Sequence, residues 1–333
     1  MRPHRFLATA LIVPVLAGLL PALALAETNH RIVTSLKPVE LLVHAVATAD
    51  MSVTTLVPNG ASPHTYQMRP SERQALAEAD RIFWVGPGME NFLNRVLSGP
   101  EFTDRAVSLA PPGLLQTHDD EQEKREAHDD HKDHHQEEHQ EHEKHQEHAE
   151  DAHAHNHGHG ADPHLWLDPA LAVMMAEQIR DALASLPGAD RAALDANLGR
   201  FRVQMADKEA SIRKQLEPAG AISIFTYHDA FGRFAEHYGL AIAGVLTPTP
   251  ERSPGARHLA EVQQQLANAP QPCLLTEPQF SRQWWRNLTE KVDLRFSTWD
   301  PLASDIQADR DGYLAFQQSL ADAVTACLPE QAQ

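Results

Sequence analysis

Ile32-Val33-Thr34-Ser35 opens a stretch that passes through Val53-Thr54-Thr55-Leu56-Val57 and closes on Ile82-Phe83-Trp84-Val85-Gly86. Between these short apolar runs the spacing predicts helices over 38–49 and 71–80. Strand and helix in strict alternation require crossover connections, and these place the strands in a parallel sheet covered by helices. After Asp168 the apolar spacing is helical through Leu186. Beyond Pro187-Gly188 it resumes from Asp190 to Leu216, with Leu194, Leu198, Phe201 and Met205 on one stripe. At about 1.5 Å per residue that segment spans roughly 40 Å, longer than one lobe needs, and it reads as a spine between two lobes. An ordinary covering helix is the other reading.

A second α/β set follows. Strands are expected over 222–227, 241–246, 273–276 and 294–298. Helices are expected over 229–238, 254–268 with Ser253 as cap, 282–291, and from about Tyr313 to Cys327. The expected architecture is α/β: two lobes, each a parallel sheet covered by helices, joined by a long rigid helix. The N-terminal lobe takes 27–187, the linking helix 188–217 and the C-terminal lobe 218–333. In such folds ligands bind at the loops beyond strand C-termini and in the crevice between lobes.

The chain has 333 residues, 42% of them hydrophobic, enough for two buried cores. Its formal charge of −18 argues against a nucleic-acid partner. From His118 to Asp151 fifteen acidic residues face four basic ones, so a net −11 of that charge is concentrated in one segment. At the N-terminus Arg2 and Arg5 precede an apolar run from Phe6 through Leu20, and Ala24-Leu25-Ala26 supplies a small-x-small cleavage site. That is an export signal over 1–26 with the mature start at Glu27, against the alternative of a retained anchor. No cysteine follows the cleavage site, and a soluble periplasmic protein is expected. Cys273 and Cys327 are the only two cysteines. In an oxidising compartment they are most simply one disulfide; a pair of metal-binding thiolates has no CxxC spacing behind it.

Thirteen histidines lie between His118 and His159, threaded through Asp and Glu. With almost no apolar residue to bury, the segment cannot offset the entropy of ordering, and a loop over 118–161 is expected. His128, His131, His134, His135, His139, His142, His145, His148, His153, His155, His157 and His159 are candidates for weak metal binding, because imidazole suits Zn, Cu and Ni and nearby carboxylates attract cations. A solvated acidic linker is the bland alternative. The segment then tightens into Asp162-Pro163-His164-Leu165-Trp166-Leu167-Asp168-Pro169. There Asp168 is the expected N-cap and Pro169 the first helical residue.

Three further histidines sit at comparable places. His64 lies in the loop after a strand, His164 just before a helix, and His228 at the end of the run 222–227. Any one alone is more often structural. Together they offer three neutral imidazoles and leave one tetrahedral position for a carboxylate or water. Asp300, after another C-lobe strand, is the candidate carboxylate, weighed against a role as N-cap of the following turn.

Gly60-Ala61-Ser62-Pro63-His64-Thr65-Tyr66-Gln67-Met68-Arg69-Pro70-Ser71, Trp84-Val85-Gly86, His164-Leu165-Trp166-Leu167, Tyr227-His228-Asp229-Ala230-Phe231 and Thr276-Glu277-Pro278-Gln279-Phe280 recur in one order over nearly the whole mature chain. In these motifs it resembles the periplasmic zinc-binding proteins of ABC importers, the cluster A-I metal solute-binding family. The resemblance implies a two-lobed fold, Zn(II) held between the lobes, and delivery to a membrane permease. It implies His64, His164 and His228 as ligands, with Asp300 as the C-lobe aspartate. Manganese-binding relatives carry Glu where His228 stands, which favours zinc. Some zinc members have Glu before the first histidine; Pro63 stands there, so Asp300 or water is left for the fourth position. The expected unit is a single chain. A catalytic zinc centre is the competing class, but Glu277 beside Pro278 and the absence of HExxH provide no hydrolase arrangement. A periplasmic zinc buffer without a permease is the third.

Overall fold

The computed structural model describes residues 29–112, 114, 162–247, 254–280 and 292–329. The export segment, the histidine run from His118 to His159, the helix expected over 282–291 and the Ser253 cap lie outside the described residues.

The N-terminal lobe runs β1 (His30–Thr34), α1 (Lys37–Val46), β2 (Met51–Thr55), α2 (Pro70–Glu78), β3 (Arg81–Trp84), α3 (Asn91–Leu97) and β4 (Ala106–Ser108). Two helices follow, α4 (Pro169–Ala184) and α5 (Arg191–Leu216). The C-terminal lobe runs β5 (Ser223–His228), α6 (Gly232–Tyr238), β6 (Ile242–Thr247), α7 (Ala256–Asn268), β7 (Pro272–Thr276), β8 (Arg295–Thr298) and α8 (Gly312–Thr325). Both sheets are parallel and share one topology, β2-β1-β3-β4 and β6-β5-β7-β8. Chain direction across the sheet reverses between β1 and β3 and between β5 and β7. These are the switch points where such sheets open a crevice at the strand C-termini.

The described elements differ from the sequence expectation chiefly at their starts. α6 begins at Gly232, because Asp229, Ala230 and Phe231 form a turn after the strand. α7 begins at Ala256 behind a Gly255 N-cap that has no side chain to donate or accept. β4 is only Ala-Val-Ser, too short to stand out in the sequence; the sheet recruits it by pairing with β3.

One apolar core serves both lobes. The central cluster joins Ile32, Leu41 and Phe83 of the first lobe to Leu198, Phe201 and Met205 of α5, and on to Ile224, Leu275, Phe316 and Leu320 of the second. The stripe Leu194, Leu198, Phe201 and Met205 is buried as its spacing demands. α5 packs on α1, α4 and α8, and so spans both lobes. Smaller cores close the outer faces: Leu76 and Leu97 lie under the first sheet, Val262 and Leu266 under the second. Asn197, buried on α5, donates to the carbonyls of Val46 and Ala47 at 2.9 and 3.1 Å and so caps the end of α1. At the start of α8 the backbone passes so close to Leu41 and to the Gln307 carbonyl that a Cβ on Gly312 would collide with both. A disulfide joins Cys273 at the start of β7 to Cys327 just past α8, with Cα atoms 5.9 Å apart.

Candidate metal centre

His64, His164 and His228 converge from three separate elements. His64 hangs in the loop after β2, a turn that uses Gly60 at φ +81° where a Cβ is disfavoured. His228 is the last residue of β5. His164 precedes a one-turn 3-10 helix, Leu165–Leu167, whose three residues are wholly buried. That turn is locked from the other lobe. Trp166 donates its indole N–H to the Pro301 carbonyl at 2.7 Å, and the Trp166 carbonyl accepts from the Tyr313 hydroxyl at 2.7 Å. Asp168 then caps α4, accepting from the N–H groups of Ala170 and Leu171, with Pro169 at the first helical position as the sequence indicates.

The ring centroids are 5.5 Å apart for His64 and His164, 5.9 Å for His64 and His228, and 5.4 Å for His164 and His228. One ligand nitrogen from each lies within 4.8 Å of the other two. Nitrogens bound tetrahedrally to one zinc at about 2.0–2.1 Å stand roughly 3.4 Å apart, so a set already within 4.8 Å is near the spacing one ion requires. Pro63, Met89, Phe280 and Leu302 wall the cleft with apolar surface, and Glu277 and Gln279 add polar groups.

Carboxylates behind two of the rings orient them. His228 Nδ1 donates to Glu277 Oε1 at 2.5 Å, and His164 Nδ1 to Asp162 Oδ1 at 2.7 Å. Each imidazole is thereby held in the tautomer that leaves Nε2 as the acceptor facing the cleft, the arrangement that orients metal-ligating histidines. His228 Nε2 is buried without a hydrogen-bond partner, which is what a donor nitrogen awaiting a cation looks like. Burial, reinforced by the two neighbouring imidazoles, pushes His64 down to about 3, so it is neutral and available at neutral pH. Burial disfavours the charge on Asp162, but the bonds from His164 and the Arg233 charge outweigh it and hold the carboxyl below its usual range.

Among the described residues Asp300 does not belong to the three-histidine group. Its Oδ1 accepts from Gln279 Nε2 at 2.6 Å and from Leu302 N at 3.0 Å, and its Oδ2 from Ser304 N at 2.6 Å, so both oxygens hold the following turn. Two carboxylates escaped the sequence. Asp162 was legible only as part of a motif, and nothing in spacing marks it as a partner of His164. Glu90 is fully buried; its carboxylate accepts from Ser35 and from the N–H groups of Val85 and Gly86, tying the ends of β1 and β3 together beside Met89, and burial raises it to about 7.

Residues 32–327 match the family described as zinc-uptake complex component A, periplasmic. The chain belongs to that family. The high-affinity zinc uptake system protein ZnuA of Yersinia pestis is 36% identical over 323 residues, covering 94% of this chain and 96% of that protein. The protein of the same name from Haemophilus ducreyi is 35% identical over 304 residues, covering 91% and 94%. A crystal structure of ZnuA superposes with a TM-score of 0.65 at 21% identity, over 89% of this chain and 99% of that one, and agrees in fold. Membership makes the protein a periplasmic zinc-binding receptor of an import system and not an enzyme, which sets aside the hydrolase alternative. No helix among the described residues is long and apolar enough to cross a membrane.

Proposed function

We propose that this chain, as a single copy exported by cleavage near Ala26, captures one Zn(II) on His64, His164 and His228 and delivers it to the permease of an ABC importer. The observation that carries the assignment is the convergence of three histidines from three elements, with ligand nitrogens within 4.8 Å of one another. Asp300 would have to give up Gln279 and two backbone N–H groups to reach the ion, so the fourth position goes to water.

The histidine run from His128 to His159 assists capture. It ends five residues before His164 and raises the local zinc concentration beside the cleft. An unperturbed imidazole competes with protons near about 6.5, so loop binding should weaken as pH falls through that range.

Isothermal titration of the full chain tests the assignment. It should show one tight zinc and several weak ones, and His228→Ala should abolish the tight class. A tight class that survives His228→Ala would refute the ligand set. Deleting 118–159 should leave the tight site while slowing zinc loading from a chelator. Equal loading rates would remove the capture role.

A further inference from the structure

Asp162 is one of the residues that join the two lobes beside His164. Its Oδ1 accepts from both the backbone N–H of His164, at 2.9 Å, and the His164 Nδ1. Its own backbone carbonyl is gripped from the opposite lobe by Arg233, on the first turn of α6: Nε donates to it at 2.8 Å, and Nη2 donates to the same oxygen. The Arg233 Nε also lies 3.8 Å from Asp162 Oδ2, so the charge is shared between the carbonyl and the carboxylate. Arg233 is mostly buried, its side chain 16% exposed.

We infer that Arg233 is a positioning residue for zinc: from the C-terminal lobe it pins Asp162, and Asp162 in turn sets the tautomer and direction of His164 in the N-terminal lobe. This rests on His164 being a zinc ligand. A planar guanidinium suits the task because two of its N–H groups reach one oxygen from a fixed fork, whereas a lysine ammonium is a point charge on a flexible stem. Without the fork, Asp162 is anchored only to the histidine it is meant to orient, at the end of a chain segment with few apolar residues. The backbone at His164 stays held by the buried turn that follows, but its ring direction then has to be set by the metal itself, and that ordering is subtracted from affinity. Outer groups that orient a ligating histidine typically change metal affinity by about 10- to 100-fold.

The test is competition of the full-length protein against a chelator with zinc alone as the probe, following the tight class. Arg233→Gln should weaken it by about tenfold, within the range for such orienting groups. Asp162→Ala should weaken it comparably, and the double variant no further than the weaker single one, because both act through one link. Arg233→Lys, which keeps the charge and the stem, should also bind more weakly than wild type; it carries the test if the Gln variant fails to fold. Unchanged affinity in both Arg233 variants would overturn the inference. So would losses that multiply in the double variant, since a general weakening of the fold would act independently of Asp162. A wild-type chain lacking any tight zinc class would overturn the proposed function and this inference with it, and is distinguished by being seen before any substitution is compared.

Discussion

His228 and His237 stand in the same lobe, one at the end of β5 and the other in the last turn of the helix that follows, yet their surroundings differ. In the cleft, imidazoles face one another across apolar walls, only two have a carboxylate behind them, and His64 is driven far down by burial. At the back of the spine, His237 lies between Asp168 of the α4 cap and Glu209 of α5, each at 3.1 Å, with Arg213 paired to Glu209 and Tyr238 beside the ring. The Asp168 carboxylate raises the His237 pKa above its ordinary value, burial opposes this, and Glu209 adds to the rise. The same type of side chain therefore faces two other imidazoles in one place and is gripped between two carboxylates in the other. What differs is how many carboxylates reach the ring: Glu277 alone at His228, and both Asp168 and Glu209 at His237.

If the cleft and the body are separable, the largest effect on the body should leave the cleft alone. β7 carries Cys273 at its start, and Glu277 follows its end. Replacing both cysteines by alanine removes a crosslink spanning 54 residues, worth about 4 kcal/mol in the chain-entropy model. The melting temperature should fall while the zinc stoichiometry measured by metal analysis stays the same. Zinc loss from the folded variant would break the distinction.

A smaller effect should appear in the cleft alone. Glu277→Gln keeps the size of the side chain but weakens its hold on His228, and zinc affinity should drop by about 10- to 100-fold in chelator competition. His237→Gln should leave that affinity unchanged. An equal loss in both variants would mean that the back of the spine reports to the site.

The smallest effect is one of sign. His64 is held below the histidine value of the unfolded chain, so its contribution to the metal-free fold is present above about pH 6.5 and is lost as pH falls toward its folded value of about 3. His237 is raised, so its contribution is complete below about pH 6.5 and disappears as pH rises through its folded pKa. Denaturant titrations of metal-free protein should show His64→Gln flattening the acid side, and His237→Gln costing about 1 kcal/mol at pH 6 and less at pH 8. The same slope in both variants would erase the comparison.

Much of this was legible along the chain because the relevant signals are local. Strand and helix alternation, the stripe of α5 and the Asp168-Pro169 start are patterns within a few turns of backbone, and all three hold in the structure. α3 and β4 were not, since Ala-Val-Ser becomes a strand only when the edge of β3 offers it partners. The Asp300 carboxylate stands after β8 and accepts from the Leu302 and Ser304 N–H groups of the following turn, the capping role that local spacing offered, whereas its bond from Gln279, 21 residues earlier, is one that spacing does not relate to it.

The sequence by itself determined the two α/β sets, the spine, the pairing of its only two cysteines and the three histidines at loop and strand-end positions, because covalent order and residue period are enough for these. Only the tertiary structure decided that the three rings meet, that Asp162 and Glu277 stand behind two of them, and that one apolar core binds the lobes together. Those are distances between residues far apart in the chain, set by how the sheets and α5 pack, and no local pattern encodes them.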